Sequence, residues 1–424
     1  MLTKEQNDLI TLTGAGTPMG ELMRRYWIPA LLTEEVPEPD CPPVQVRILG
    51  EELVAFRDSS GRVGLLAEHC SHRGTSLFYG RNEHCGLTCI YHGWKYDAEG
   101  QVLDTPAEPA GSTFKERLHH PAYPTHEAGG IVFAYLGPWE KQPLFPNYDW
   151  VSQPADHCYV TKCYQECNYL QGLEGECDSS HLSFLHRTLD RSLQPHYQDN
   201  APRYFTEDTD FGERLVALRT MPGGGTYVRV SAFLMPVASA VPVGSGGAGD
   251  RLDGYEVHFY TPLDDTHSWR FDFGFRRSRA ITPEEVTRRP VIDSSYHRIP
   301  NVSNHYLQDR EMQRTVNFTG MASFLTHDSC ATESMGPRYD RSREHLGASD
   351  SGVIAVRRRM LDAVQAFQRG EPPLHVVTDP AQNDFRHADS LAEVIESADW
   401  RAAFPHLVNS VEEAPSSRET AAAR

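Results

Sequence analysis

Four residues of types able to bind metals stand in two unlike pairs: Cys70-Ser71-His72, then, after sixteen residues, Cys89-Ile90-Tyr91-His92. A Cys-x-His and a Cys-x-x-His, each on a tight loop, deliver one thiolate and one imidazole apiece. A [2Fe–2S] cluster of the Rieske type needs that set, with two thiolates on one iron and two neutral imidazoles on the other. A Cys₂His₂ zinc site uses the same residue types but runs Cys-x₂₋₄-Cys before His-x₃₋₅-His, so that like ligands are paired. The unlike pairing here favours the cluster. Arg73-Gly74 and Gly93-Trp94 follow the two histidines, and the glycines let backbone crowd a bound group.

A second constellation begins at Asn168. Gln171, Glu174, Asp178 and His181 are spaced i, i+3, i+7, i+10, which on a continuous helix makes one polar face in a stretch that otherwise reads as buried. Such a face needs a partner, and a metal is one. His181 and His186 are five apart, about 140° around a helix, so both reach one metal only if the helix breaks between them. Two histidines and a carboxylate form the facial triad of a non-haem Fe(II) with open positions for O₂. Asp328 and Glu333 follow the apolar lead-in Met321 to Leu325. Asp328 is the expected third ligand.

These residues resemble the oxygenase component of the Rieske non-haem iron aromatic-ring oxygenases, within them the phthalate dioxygenase branch. Gly16-Thr-Pro-Met-Gly20, Arg24-Arg-Tyr-Trp27, Cys70-Ser-His-Arg-Gly74, Tyr91-His-Gly-Trp94, Glu333-Ser-Met-Gly336 and Glu344-His-Leu-Gly347 carry the likeness, which spans nearly the whole chain. It implies that Cys70, His72, Cys89 and His92 hold the cluster and that His181, His186 and Asp328 hold the iron. Asp178 matches the aspartate that bridges an iron-ligating histidine to a cluster histidine of a neighbouring subunit. It further implies an α+β chain: a small all-β Rieske domain plus a helix-grip catalytic domain of antiparallel sheet and helices, assembled as a homotrimer or stacked hexamer. Two departures stand out. Ser71 replaces an expected proline, and His327, where glutamine is common, is a candidate competing ligand beside Asp328.

A length of 424 residues exceeds one core and implies two domains. A net charge of −18 disfavours nucleic acid and anionic membranes as partners. An acidic substrate must therefore find a local positive group. The N-terminus has no basic start with an apolar run, and no window approaches twenty apolar residues, so a cytoplasmic, unexported protein is expected. Nine cysteines, an odd number, read as ligands plus thiols kept reduced. Cys41, Cys85, Cys158, Cys163, Cys167, Cys177 and Cys330 are assigned structural roles.

The organisation expected is a helical segment over 1–43 packed on the catalytic domain, the Rieske domain over 44–140, the catalytic domain over 150–410 and a disordered tail over 411–424. An amphipathic helix is predicted from Gly20 to Ile28, stopped by Pro29. Short strands follow over Val44 to Phe56 and Val63 to Leu66. Trp269 to Arg276 and Tyr255 to Tyr260 alternate at period two, which implies one buried sheet face. A helix from Val353 to Arg369 is predicted to carry Ile354, Leu361 and Val364 inward and the run Arg357-Arg358-Arg359 on a solvated face, with docking of an electron donor as the alternative. Gly14-Ala-Gly16 and Gly244-Ser-Gly-Gly-Ala-Gly249 lie outside any βαβ unit, so they read as a helix lead-in and a loop, the second a possible gate, and not as dinucleotide sites. Electrons must then come from a separate reductase, a flavin and ferredoxin-type donor using NAD(P)H. The activity implied is hydroxylation, cis-dihydroxylation or oxidative O-demethylation of an aromatic carboxylic acid with O₂. The alternative is a Rieske electron-transfer protein without oxygenase activity. Ser179, Arg229 and His258 are candidates to meet the substrate carboxylate.

Overall fold

The computed structural model describes residues 1–190, 195–243, 252–286 and 291–407. The glycine loop at 244–249 and the tail at 411–424 lie outside them. Three small antiparallel sheets build the N-terminal third. Val44–Ile48, Glu51–Arg57, Val63–Ala67 and Ala122–Tyr123 form one, and Arg81–Asn82, Leu87–Thr88, Lys95–Tyr96 and Val102–Asp104 a second. Between them Val54, Phe56, Leu66, Trp94 and Tyr96 bury a core against Cys70 and Cys89, so apolar packing fixes the two cysteine loops from behind. The third sheet pairs Ile131–Tyr135 with Thr125–Ala128 and with Trp27–Leu32.

That last strand corrects a sequence expectation. The helix predicted from Gly20 to Ile28 runs instead over Pro18–Met23, and Pro29 sits inside the strand. A register shift between Pro29 and Leu31, on a strand at the sheet's edge, absorbs the missing N–H, as an edge position or bulge can. A capped helix, Lys4–Thr11, precedes it, and its Ile10 shares a core with Met360 and Val364 of the long helix Ser351–Gln368.

The larger sheet orders Cys158–Gln165, Ser268–Phe275, Tyr255–Pro262, Ala238–Pro242, Thr226–Leu234, Gly212–Thr220 and Arg203–Asp208 antiparallel, with Leu391–Ile395 also paired to Thr226–Leu234. Helix Tyr169–Cys177 lies on this sheet so closely that a Cβ at Gly172 would fall 2.0 Å from the Tyr260 ring. The period-two strands do bury their apolar face, but their polar positions are also buried: Arg270 and His258 are 2% and 5% exposed. The long helix likewise departs from expectation. Leu361 and Val364 face inward, yet Ile354 is exposed. Within the arginine run, Arg357 is buried on Glu174 and Glu344, Arg359 is held by Asp208 and Glu213, and only Arg358 is substantially exposed. Among the described residues no helix is long and apolar enough to cross a membrane, and all nine cysteines are free of disulfides.

Candidate functional site

The two cysteine loops share one construction. The Cys70 N–H donates to the Thr75 carbonyl and the Gly74 N–H returns to the Cys70 carbonyl; Cys89 does the same with Trp94 and Gly93. Gly74 and Gly93 have φ of 74° and 73°, the left-handed region that glycine enters without a Cβ clash. The thiols of Cys70 and Cys89 are buried, and the rings of His72 and His92 lie 4.5 Å apart at their centroids. His72 stacks on Trp94 at 4.6 Å. Two buried thiols beneath two imidazoles nearer the surface suit a cluster with thiolates on the inner iron and imidazoles on the outer. The Tyr96 hydroxyl, 3.0 Å from the Cys70 sulfur, is held far above the usual phenol range, first by burial and then by Cys70, so it stays a donor. Ser71, the departure from proline, bonds His120 Nδ1 at 2.7 Å.

The second constellation forms because the helix stops. Tyr169–Cys177 ends at Asp178, whose backbone is extended, and His181 begins a separate 3₁₀ turn. That break lets His181 and His186 converge, and helix Phe324–Glu333 brings Asp328 to both. The candidate ligand atoms of His181, His186 and Asp328 lie within 4.8 Å of one another. His186 Nε2 is 3.0 Å from Asp328 Oδ1 and His181 Nε2 is 3.9 Å from the same oxygen. His186 Nε2 is buried without a hydrogen bond. Orphaned imidazole nitrogen facing a carboxylate fits a 2-His-1-carboxylate iron site. Although burial works against it, the facing imidazoles of His186 and His181 hold the Asp328 carboxyl below the usual range, so it stands ready as an anionic ligand.

The other predicted members of the face have protein partners. Gln171 is bonded to Thr332, Gly336 and Tyr339, and Glu174 to Arg341 and Arg357. Glu333, the other candidate carboxylate, turns to Tyr306 and Arg298. His327 has other partners too: its Nδ1 faces His186 Nδ1 and its Nε2 faces the Met321 carbonyl. Asp178 Oδ2 stands 3.9 Å from His181 Nδ1, and burial raises its carboxyl above the usual range.

Beside the triad lies a cavity of about 610 Å³ with Leu182, Leu215, Val241 and Phe324 among its apolar lining. Ser179, Arg229 and His258 all line it. Two are already engaged: Ser179 accepts from Arg219, and His258 donates from Nδ1 to Asp272 at 2.5 Å. Burial disfavours the charged His258, but Glu176 and Asp272 outweigh it and push the imidazole up to about 10. Arg270 is saturated by Asp272 and Glu176. Arg229 has no hydrogen-bond or ion-pair partner among the described residues. Sequence reasoning missed Glu176, Glu256, Arg270 and Asp272 as a cavity wall; the signal for the last three was the polar half of the period-two strands, while Glu176 lies on the helix Tyr169–Cys177.

The Rieske [2Fe-2S] domain model matches residues 26–123, and a model described as LigXa C-terminal domain like matches 134–421. The phthalate 4,5-dioxygenase oxygenase subunit of Pseudomonas putida is 40% identical, over 95% of this chain and 94% of its own. The 3-chlorobenzoate-3,4-dioxygenase oxygenase subunit of Comamonas testosteroni is 33% identical, over 96% and 98%. Among solved structures, NdmA of Pseudomonas putida CBB5 superposes with a TM-score of 0.60 at 18% identity, over 82% of this chain and 93% of its own, a likeness of fold. With two metal-binding constellations on that fold and full-length relatives of this kind, the chain belongs to the Rieske non-haem iron oxygenases, as an oxygenase subunit carrying a [2Fe–2S] cluster and a mononuclear iron.

Proposed function

We propose that this oxygenase acts on an aromatic carboxylic acid whose carboxylate is met by Arg229. Cys70, His72, Cys89 and His92 hold the cluster, and His181, His186 and Asp328 hold the iron. When bound, the cluster supplies single electrons and the mononuclear iron supplies activation of O₂ at its open positions. The rest falls to this chain. The apolar lining packs a ring and excludes water, while Arg229 fixes which ring or methoxy carbon faces the triad. Insertion of one oxygen consumes two electrons and two protons and releases water; cis-dihydroxylation consumes the same and places both oxygens on the ring. Asp178 links His181 to a cluster imidazole of a neighbouring subunit in a homotrimer or hexamer, and a separate cytoplasmic reductase feeds the cluster. The cavity beside a second ligand set is what favours an oxygenase over an electron carrier.

The observation that carries the substrate class is Arg229, a half-buried cavity cation without a hydrogen-bond or ion-pair partner among the described residues, since such a guanidinium is satisfied by a carboxylate in bidentate fashion. Steady-state turnover of benzoate-type acids with a surrogate reductase and NADH tests it. Arg229→Met should raise KM for the acid roughly 10–100-fold, the loss of one charge-assisted pair, and leave a neutral amide of the same ring unaffected. An unchanged KM for the acid would remove Arg229 from substrate recognition.

A further inference from the structure

His327 touches His186, a member of the candidate triad, while both of its own ring nitrogens face other groups than Asp328 and His181. Its Nε2 lies 3.0 Å from the Met321 carbonyl oxygen and its Nδ1 lies 3.2 Å from Nδ1 of His186. We propose that His327 is a positioning residue that holds His186 in the tautomer whose Nε2 is free to bind iron, an inference that rests on His181, His186 and Asp328 being the ligands.

The tautomers follow from what each partner can do. A carbonyl oxygen only accepts, so the nitrogen facing it, His327 Nε2, carries the hydrogen. In a neutral imidazole the other nitrogen then holds the lone pair. His327 Nδ1 is therefore an acceptor, and His186 Nδ1 must be the donor that faces it. The hydrogen of His186 is thereby placed on Nδ1, and Nε2 keeps its lone pair. That is the atom left buried without a hydrogen bond although Asp328 Oδ1 is 3.0 Å away. Two electron-rich atoms aimed at one point without a bond between them is how ligands stand, and the backbone carbonyl of Met321 is the fixed end of the chain that sets them so.

The surroundings keep the relay in place. His186 stacks on the Phe324 ring at 3.5 Å and 9°, the Tyr197 hydroxyl donates to the His186 carbonyl, and His186 and His327 are both buried. Helix Phe324–Glu333 thus supplies one ligand, Asp328, and through the preceding residue orients another. Glutamine can make the same two bonds, its amide N–H to Met321 and its oxygen to His186 Nδ1. Leucine and phenylalanine can make neither.

The test is anaerobic Fe(II) binding to protein stripped of mononuclear metal, by competition with a chromogenic chelator, with the Rieske absorption and the melting temperature recorded alongside. His327→Leu should bind Fe(II) roughly 10–100-fold more weakly with the cluster spectrum unchanged, as loss of an outer hydrogen bond to a metal histidine does. His327→Gln should return affinity to within about threefold of the parent. Packing alone would rank the variants the other way, with leucine closest to the parent. Parental affinity in His327→Leu, or affinity in His327→Gln as weak as in the leucine variant, overturns the relay. His327→Phe is the second acceptor-free variant, so the decision does not hang on one protein folding. His186→Ala separates the two levels: if it binds Fe(II) normally, the ligand set itself is wrong, whatever His327 does.

Discussion

With Cys70 holding the cluster as proposed, one hydroxyl is placed to influence how the cluster holds its added electron. Tyr96 donates to this thiolate over 3.0 Å, and a donor stabilises the more negative, reduced cluster more than the oxidised one. Tyr96→Phe removes the donor and keeps the ring in its buried slot. The midpoint potential should fall by on the order of 40 mV, the one-electron equivalent of a bond worth about 1 kcal/mol, with the cluster still bound. Redox titration followed by the cluster's visible absorption measures it; an unmoved potential would mean that the hydroxyl contributes nothing to the reduced state. The candidate ligands could be picked out in the sequence because thiols and imidazoles in unlike pairs, or five apart, have few other uses. Tyr96 and His327 were not singled out as hydrogen-bond donors or acceptors because that role depends on which atom faces which, a matter of angstroms that spacing does not encode.

The helix Tyr169–Cys177 is held by charge as much as by packing. Glu174 lies between Arg341 and Arg357, with 2.9 Å and 2.6 Å contacts, and its side chain is only 11% exposed. Burial alone would raise its carboxyl, but Arg341 and Arg357 outweigh burial and hold it below the usual range. A carboxyl depressed in the folded state stabilises the fold at any pH above its unfolded value, and that stability is lost as pH falls through the folded one. Glu174→Gln leaves two buried guanidiniums short of their anion and should cost about 3 kcal/mol at pH 7, read as a lowered melting temperature. The difference between parent and variant should shrink only below about pH 4.5, from the ordinary glutamate value downward; a gap that instead closes toward alkaline pH would contradict the ion-pair account. The sequence displayed Gln171 and Glu174 as a polar stripe in search of a partner, and the stripe was real. Its partners could not be read, because Arg341 and Arg357 are far along the chain and arrive by tertiary packing, and an arginine run looks the same solvated or buried. The helix break at Asp178 was legible only as a condition, since two histidines five apart cannot share a metal on an unbroken helix.

At the scale of the whole molecule, short strands rich in β-branched residues marked the small sheets and period-two alternation marked two strands of the large one, whereas the strand Trp27–Leu32 was hidden by a proline that its edge position tolerates. The large-scale arrangement leaves the imidazoles proposed to hold the cluster toward the surface, with His72 exposed and His92 half-buried, beside the exposed side chains of Ile90 and Tyr91. Asp178 sits at the other constellation with a half-buried carboxylate 3.9 Å from His181. If electrons pass between subunits along the path proposed above, they leave through an outer imidazole of one copy and enter at Asp178 of the next. Asp178→Asn keeps the side chain's shape and removes its charge, so both metal sites should remain loaded, by iron analysis and by the cluster spectrum. In a single turnover with reduced enzyme, substrate and O₂, followed by stopped-flow absorption, cluster oxidation should slow by orders of magnitude, because the bridging acceptor between the two imidazoles is weakened while each end is intact. A simple loss of iron would show slow oxidation together with an empty mononuclear site, which metal analysis separates. Unchanged cluster oxidation in a fully metallated Asp178→Asn protein would send the electrons by another route, and the subunit arrangement inferred from the bridge would fall with it.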